Sequence, residues 1–387
     1  MAVKLKPLNE QVVVIVGASS GIGRVCALRF AERGAKVVLA ARDEIGLASL
    51  ADEIIAKGGE AAFISADASA PVEMEAVAQL AEERFGRVDT WVNDAAVTLF
   101  ARFWETTPQE FRRIMEVNYL GQIHGALAAL PALRRAGGGA LIAISSVESI
   151  VSLPLHAAYS ASKHAVEGAM DALRRELMAE GAPISVTSVK PGTINTPLFT
   201  NARNKMDVKP KGPSPIYDPQ VVADCVLYAA AHPVRDLFAG GAGKMMASAQ
   251  MTAPKLVDRI LARSGISQSR TEEPRLGGEE GNLYEPYADD RAQGDFTKQS
   301  RRFSTYTWLA THPAAKLLLL SGAVAGVAAL TRKKGAPSTT EIAASEPRAD
   351  SAADLSAIPL PQTPEELVYE EAEVIIVAPA LGDRVEA

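Results

Sequence analysis

The 387-residue chain is poor in the residues that build cross-links and metal centres. It has two cysteines, Cys26 and Cys225, and five scattered histidines with no His-x-x-x-His pair. A disulfide framework and a four-cysteine zinc site are excluded on that count, and no metal site is expected. Residues 1–7 contain no apolar run, so no signal peptide is expected and the folded part is assigned to the cytoplasm. A basic stripe with interleaved aromatics is also missing, which argues against a nucleic-acid partner. Basic residues are scarce only at the end: after residue 334, eleven acidic residues face only Arg348 and Arg384. The tail is therefore net −9 and the remainder about +3, although the whole chain is −6.

With 48% apolar and 22% charged residues, the chain can bury a large core. Residues 11–16, mostly β-branched, predict a strand buried on both faces. Gly17-Ala-Ser-Ser-Gly21-Ile-Gly23 follows at once and leads into a helical pattern. Glycines between a strand and a helix allow a tight turn, and the helix N-terminus offers free N–H groups to a pyrophosphate. Lys36 to Ala40 predict a second strand, which leaves through Ala41-Arg42-Asp43. Arg42 suits a ribose 2′-phosphate, so NADP(H) is favoured; Asp43, one position late for a 2′-hydroxyl, keeps NAD(H) as the alternative.

Strand and helix patterns then alternate. Helices are expected over 44–57, 71–85, 108–130 and 219–231, and strands at 61–64, 88–92, 140–144, 184–189 and 236–239. Asn118 falls inside a helical stretch, where its propensity is poor, which points to a kink or a polar relay. The strand ending at Ile144 delivers Ser145 and Ser146 at the edge where open α/β sheets bind ligands. Tyr159 and Lys163 lie thirteen and seventeen residues beyond Ser146, one turn apart on one helix face. An ammonium so placed favours the phenolate, so Tyr159 is expected to exchange protons near neutrality. Pro191-Gly192 punctuates the next strand, and residues 198–216 suggest a mobile loop over a site.

These motifs, in this order, closely resemble the short-chain dehydrogenase/reductase family over residues 8–245. The resemblance implies a doubly wound, Rossmann-type, mostly parallel seven-stranded sheet with helices on both faces. It implies hydride transfer between NADP(H) and a carbonyl or secondary alcohol, in a homo-oligomer. Tyr159 would be the general acid/base, Lys163 would bind the nicotinamide ribose and lower the Tyr159 pKa, Ser146 would hold the substrate oxygen, and Asn118 a relay water. Gly17, Ser19, Ser20, Gly21, Ile22 and Gly23 would cradle the cofactor and Asp67 and Ala68 the adenine. Asn93, Ala95, Pro191, Gly192, Ile194 and Thr196 would line the rest. Val16 and Asp94 depart from the family pattern, which often has Thr and Asn there.

Beyond the dehydrogenase domain, assigned to 8–265, residues 266–305 read as a polar arm or linker. Residues 306–334 contain an apolar stretch with a single charge, Lys316, between Trp308 and Leu330. Flanking aromatics and Arg332, Lys333 and Lys334 predict membrane association through 308–330; burial against a partner subunit is the alternative. The acidic tail over 335–387 is expected to be disordered. An anchor would bring an apolar small-molecule substrate within reach. A nucleotide-binding scaffold without turnover is a second reading, opposed by the intact Ser146, Tyr159 and Lys163.

Overall fold

Each strand expected from the sequence is present, and all but the one at 61–64 are largely buried. A computed structural model describes residues 3–275 and 280–316, all within one compact unit. In chain order the strands are β1 (Val12–Val16), β2 (Lys36–Ala41), β3 (Ala61–Ser65), β4 (Thr90–Asn93), β5 (Leu99–Phe100) and β6 (Gly139–Ile144). They continue as β7 (Ile184–Pro191), β8 (Arg203–Asn204), β9 (Val208–Pro210), β10 (Asp236–Ala239) and β11 (Arg270–Pro274). The helices are α1 (Gly21–Glu32), α2 (Glu44–Ala56), α3 (Pro71–Phe85), α4 (Pro108–Met115) and α5 (Gly121–Arg135). After them come α6 (Ala157–Ala179), α7 (Gln220–Ala231), α8 (Gly241–Thr252), α9 (Pro254–Gln268) and α10 (Thr305–Thr311).

Seven strands pair in the order β10-β7-β6-β4-β1-β2-β3, every pairing parallel. One face packs on α1, α2 and α7, the other on α3, α5 and α6. All five residues of β1 are buried, each Val worth ~1.5–3 kcal/mol by removal from water. The order reverses between β1 and β4, which opens a crevice beyond their C-terminal ends, the usual ligand position in such sheets.

Several expectations need correction. The helix expected over 108–130 is interrupted by a π-helical turn, Glu116–Leu120, with Asn118 at its centre. The loop expected to move, 198–216, is pinned: β8 pairs with β5, and β9 with β11. Glu110 helps hold it, its buried carboxylate accepting from Arg203 (2.6 Å) and Lys205 (2.8 Å). Burial would raise that carboxyl, yet these partners and the Thr107 amide hold it down at about 2.

Residues 266–305 are not a free linker, since β11 pairs with β9 and the segment after Gly281 lies along the domain. The helix expected to start at Trp308 is broken at His312, because a residue before proline avoids the helical region and Pro313 follows. Trp308 stacks on His312 at 4.8 Å between ring centroids. Among the described residues no helix is long and apolar enough to cross a membrane. The rest of the expected apolar helix, from 317 on, and the tail over 335–387 lie outside the described residues.

Candidate active site

The crevice is a cleft of about 350 Å³ lined from several strand ends. β1 enters it through Gly17, whose φ of +94° and whose spacing admit no side chain: a Cβ there would fall 2.6 Å from the Ala95 amide nitrogen. A Cβ on Gly23 would fall 2.2 Å from the Gly17 carbonyl, so the turn packs on α1 only as glycine. Ser19, Ser20, Gly21 and Ile22 line the cleft, as do Arg42, Asp67, Ala68, Ala95, Pro191, Gly192, Ile194 and Thr196. The Ser145 hydroxyl is buried at its wall with no hydrogen-bond partner among the described residues. Small side chains, a glycine turn and an orphaned hydroxyl fit a flat, anionic dinucleotide.

β6 and α6 build the other end. α6 buries Tyr159, Ser162, Lys163, Val166 and Met170 at a spacing of three to four, and Leu177 two turns on, a stripe that faces the sheet. Tyr159 and Lys163 therefore come to the end of β6, where Lys163 Nζ donates to the Ile144 carbonyl at 2.9 Å. Ser146 Oγ accepts from the Glu148 amide at 3.0 Å, which leaves its proton free to donate. Ser146 and Tyr159 both line this end of the cleft.

The electrostatics differ from the expectation for Tyr159. Its phenol is raised, not lowered: burial dominates, the Glu148 and Asp94 charges add to it, and the Ser146 hydrogen bond opposes them. Burial lowers Lys163 to about 8, against the pull of Asp94, Glu167 and Glu148. Asp94 is pushed up to about 7 by desolvation, while Lys163 and the Gly23 amide act to lower it. The site thus holds two groups that titrate near neutrality, and the second, Asp94, stands where the family pattern departs.

Three expected site residues lie elsewhere. Asn118 is fully buried outside the cleft lining, its side chain bonded both ways to the Val97 backbone (2.8 and 2.9 Å) and to Ser162 Oγ (3.1 Å). No donor of that amide is left for a relay water. Asn93 is buried too, accepting from Trp91 Nε1 at 2.8 Å and donating to the Gln122 carbonyl at 3.1 Å. Gly23 supports the turn from behind without lining the cleft.

Other residues were not singled out from the sequence. Glu148 accepts from Ser160 Oγ at 2.7 Å and pairs with His156 Nδ1 at 2.9 Å, and both Glu148 and His156 line the cleft. Their signal was present as an acid two residues after Ser146 and a histidine three before Tyr159. Asn282, Pro286 and Tyr287 also line the cleft, with no local signal at all. Arg42 meets that same segment, Nη1 donating to the Tyr284 carbonyl and Nη2 to the Asn282 carbonyl, both at 2.7 Å.

Residues 11–207 match the short chain dehydrogenase family. The chain belongs to that family. It is accordingly an NAD(P)-dependent dehydrogenase or reductase acting on small molecules. The uncharacterized oxidoreductase YxnA of Bacillus subtilis is 37% identical over 328 residues, 84% of this chain and 92% of that protein. Dehydrogenase/reductase SDR family member 7B of Bos taurus is 37% identical over 201 residues, 50% of this chain and 61% of that one. Among solved structures, a short chain dehydrogenase/reductase from Burkholderia phymatum in complex with NAD is similar with a TM-score of 0.60 and 25% identity, over 70% of this chain and all of that one. An alcohol dehydrogenase from the archaeon Thermococcus sibiricus, complexed with 5-hydroxy-NADP, is similar with a TM-score of 0.51 and 29% identity, over 59% and 95%.

Proposed function

We propose that this chain moves a hydride between NADP(H) and a carbonyl or secondary alcohol, with Tyr159 as general acid and base. The observation that carries the reading is the meeting of Ser146, Tyr159 and Lys163 on one wall of the cleft. The dinucleotide, when bound, supplies or accepts the hydride. Ser146, its oxygen held by the Glu148 amide, donates to the substrate oxygen and aims it at the Tyr159 hydroxyl. Tyr159 gives its proton to the forming alkoxide in reduction and takes it back in oxidation. Lys163, anchored on the Ile144 carbonyl, keeps two N–H groups for the ribose and, ionised, stabilises the phenolate that reduction leaves behind. The substrate is proposed to be apolar around its reacting carbon, since Val97, Val147, Leu153, Phe199 and Met246 line that end.

Arg42 supports NADP(H), because its two hydrogen bonds to the Asn282 and Tyr284 carbonyls leave three of its five N–H donors for a 2′-phosphate. The same two bonds favour a second reading, NAD(H), in which Arg42 serves only to hold the 282–284 backbone. A screen of ketones and alcohols with both cofactors tests the function. Turnover in the parent that persists in Tyr159→Phe would overturn the proton assignment, and a tighter fit to NADH than to NADPH would overturn the cofactor choice.

A further inference from the structure

The segment after Gly281 crosses the mouth of the cleft and is fastened on both sides of it. At the adenosine end, its Asn282 and Tyr284 carbonyls take the Arg42 guanidinium, and its Leu283 carbonyl accepts from Arg113 Nε at 3.1 Å. The Leu283 side chain is fully buried with Val97, Leu99, Ile114, Val117 and Ala158. Ser49 on α2 donates to Asp290 at 3.1 Å. Over the glycine turn, the Arg291 carbonyl accepts from the Gly21 amide at 3.0 Å. Farther on, the Phe296 amide donates to Asn195 Oδ1 at 3.0 Å, and the Arg301 amide to the Ile216 carbonyl at 2.9 Å. Close seating is written into two glycines: a Cβ on Gly281 would fall 2.4 Å from the Arg203 amide nitrogen, and one on Gly294 2.5 Å from the Thr196 carbonyl.

We propose that residues 281–301 are a strap that completes the dinucleotide site and must lift for the cofactor to enter or leave, so that strap opening limits cofactor exchange. The proposal rests on the dinucleotide reading above. Asn282, Pro286 and Tyr287 form a wall of the cleft that the rest of the fold does not supply. The Arg291 carbonyl occupies an N–H in the first turn of α1, where a pyrophosphate is drawn by the free amides and the helix dipole. Two acceptors cannot both hold that one donor well, so loading must displace the strap at least there. A match of 84% of the chain leaves too few residues at either end to exclude the strap, so the likeness to YxnA extends through it, whereas the family match ends at residue 207.

The test measures release of NADPH and of NADH from the full-length protein by stopped-flow fluorescence. Leu283→Ala removes the buried anchor without altering a cleft-lining residue, and should speed release by about tenfold or more, with hydride transfer on pre-loaded enzyme little changed. A second variant works in the opposite sense: Ser49→Cys with Asp290→Cys, oxidised, should slow release by about tenfold or more, and reductant should restore it. Cys26 and Cys225 are buried, so they do not compete for the cross-link. Parental release rates in Leu283→Ala, with hydrogen exchange showing its 282–296 amides exposed, would overturn the strap, as would parental release from the closed staple. A parent that bound neither dinucleotide would overturn the functional reading and the strap together; a parent that binds but exchanges like its variants overturns the strap alone.

Discussion

At one end of the cleft, Ser146, Tyr159 and Lys163 come from one strand end and the helix that follows, within eighteen residues of sequence. At the other end, Arg42 meets carbonyls 240 and 242 residues away. The chemical end is built from side chains at fixed spacing, which sequence records directly. The adenosine end is closed by backbone, whose carbonyls are the same in every residue. A reaction class can therefore be read locally, while the wall proposed to cover the cofactor is found only in three dimensions.

The comparison breaks if either end answers to the other's mutations. Tyr159→Phe should lower turnover by about a thousandfold while leaving the cofactor dissociation constant close to the parent's, as measured by fluorescence titration. A comparable loss of cofactor affinity would show that the two ends are not separable. Arg42→Ala should act in reverse, weakening NADPH by about ten- to a hundredfold more than NADH and changing KM for cofactor far more than kcat. Equal weakening of both dinucleotides would assign Arg42 to the strap alone.

Gly125→Ala tests what supports both ends from behind. A Cβ there would fall 2.1 Å from Asn93 Oδ1, whose own bonds to Trp91 and Gln122 fix the end of β4. Thermal or urea unfolding should show a loss of about 1–3 kcal/mol, as expected for overpacking a filled core. An unchanged midpoint would show that Asn93 can move without cost.

The smallest effect concerns Asp94, which lies between the two ends. Its carboxyl titrates at about 7, so it is neutral at pH 6 and largely charged at pH 8. An anionic dinucleotide should then bind about two- to fivefold more weakly at pH 8 than at pH 6, and Asp94→Asn should reduce that slope to the part carried by Lys163, which loses its charge through about 8. A carboxyl raised in the folded state favours folding relative to its ionised form below the unfolded value near 4, and that advantage is lost as pH rises through about 7. A pH-independent cofactor affinity in the parent would remove Asp94 from the coupling between the ends.

Much of the fold was legible because β-branched runs and glycine punctuation report burial and turns one residue at a time. The seven strands, the glycine turn and the Tyr159 helix all came from such local signals. Asn93 and Asn118 were placed in the site because motif order reports position, not direction; their amides in fact bind backbone within the core. The rise in the Tyr159 pKa was missed for a related reason. Lys163 is visible one turn away, but the burial and the Glu148 charge that raise the phenol depend on how 146–156 packs against α6. The polarity of 266–305 reads as an arm or linker, although Leu283 and Phe296 stand as apolar islands within it, and both are buried.

The strap also orders events during synthesis. Gly21 and Arg291 share a hydrogen bond but are translated 270 residues apart. At ribosomal rates that interval is on the order of tens of seconds, in which the glycine turn and the first strands have emerged while their cover has not yet been made. A dinucleotide captured in that interval would meet an open crevice, and the last part of the domain to be translated would close over it.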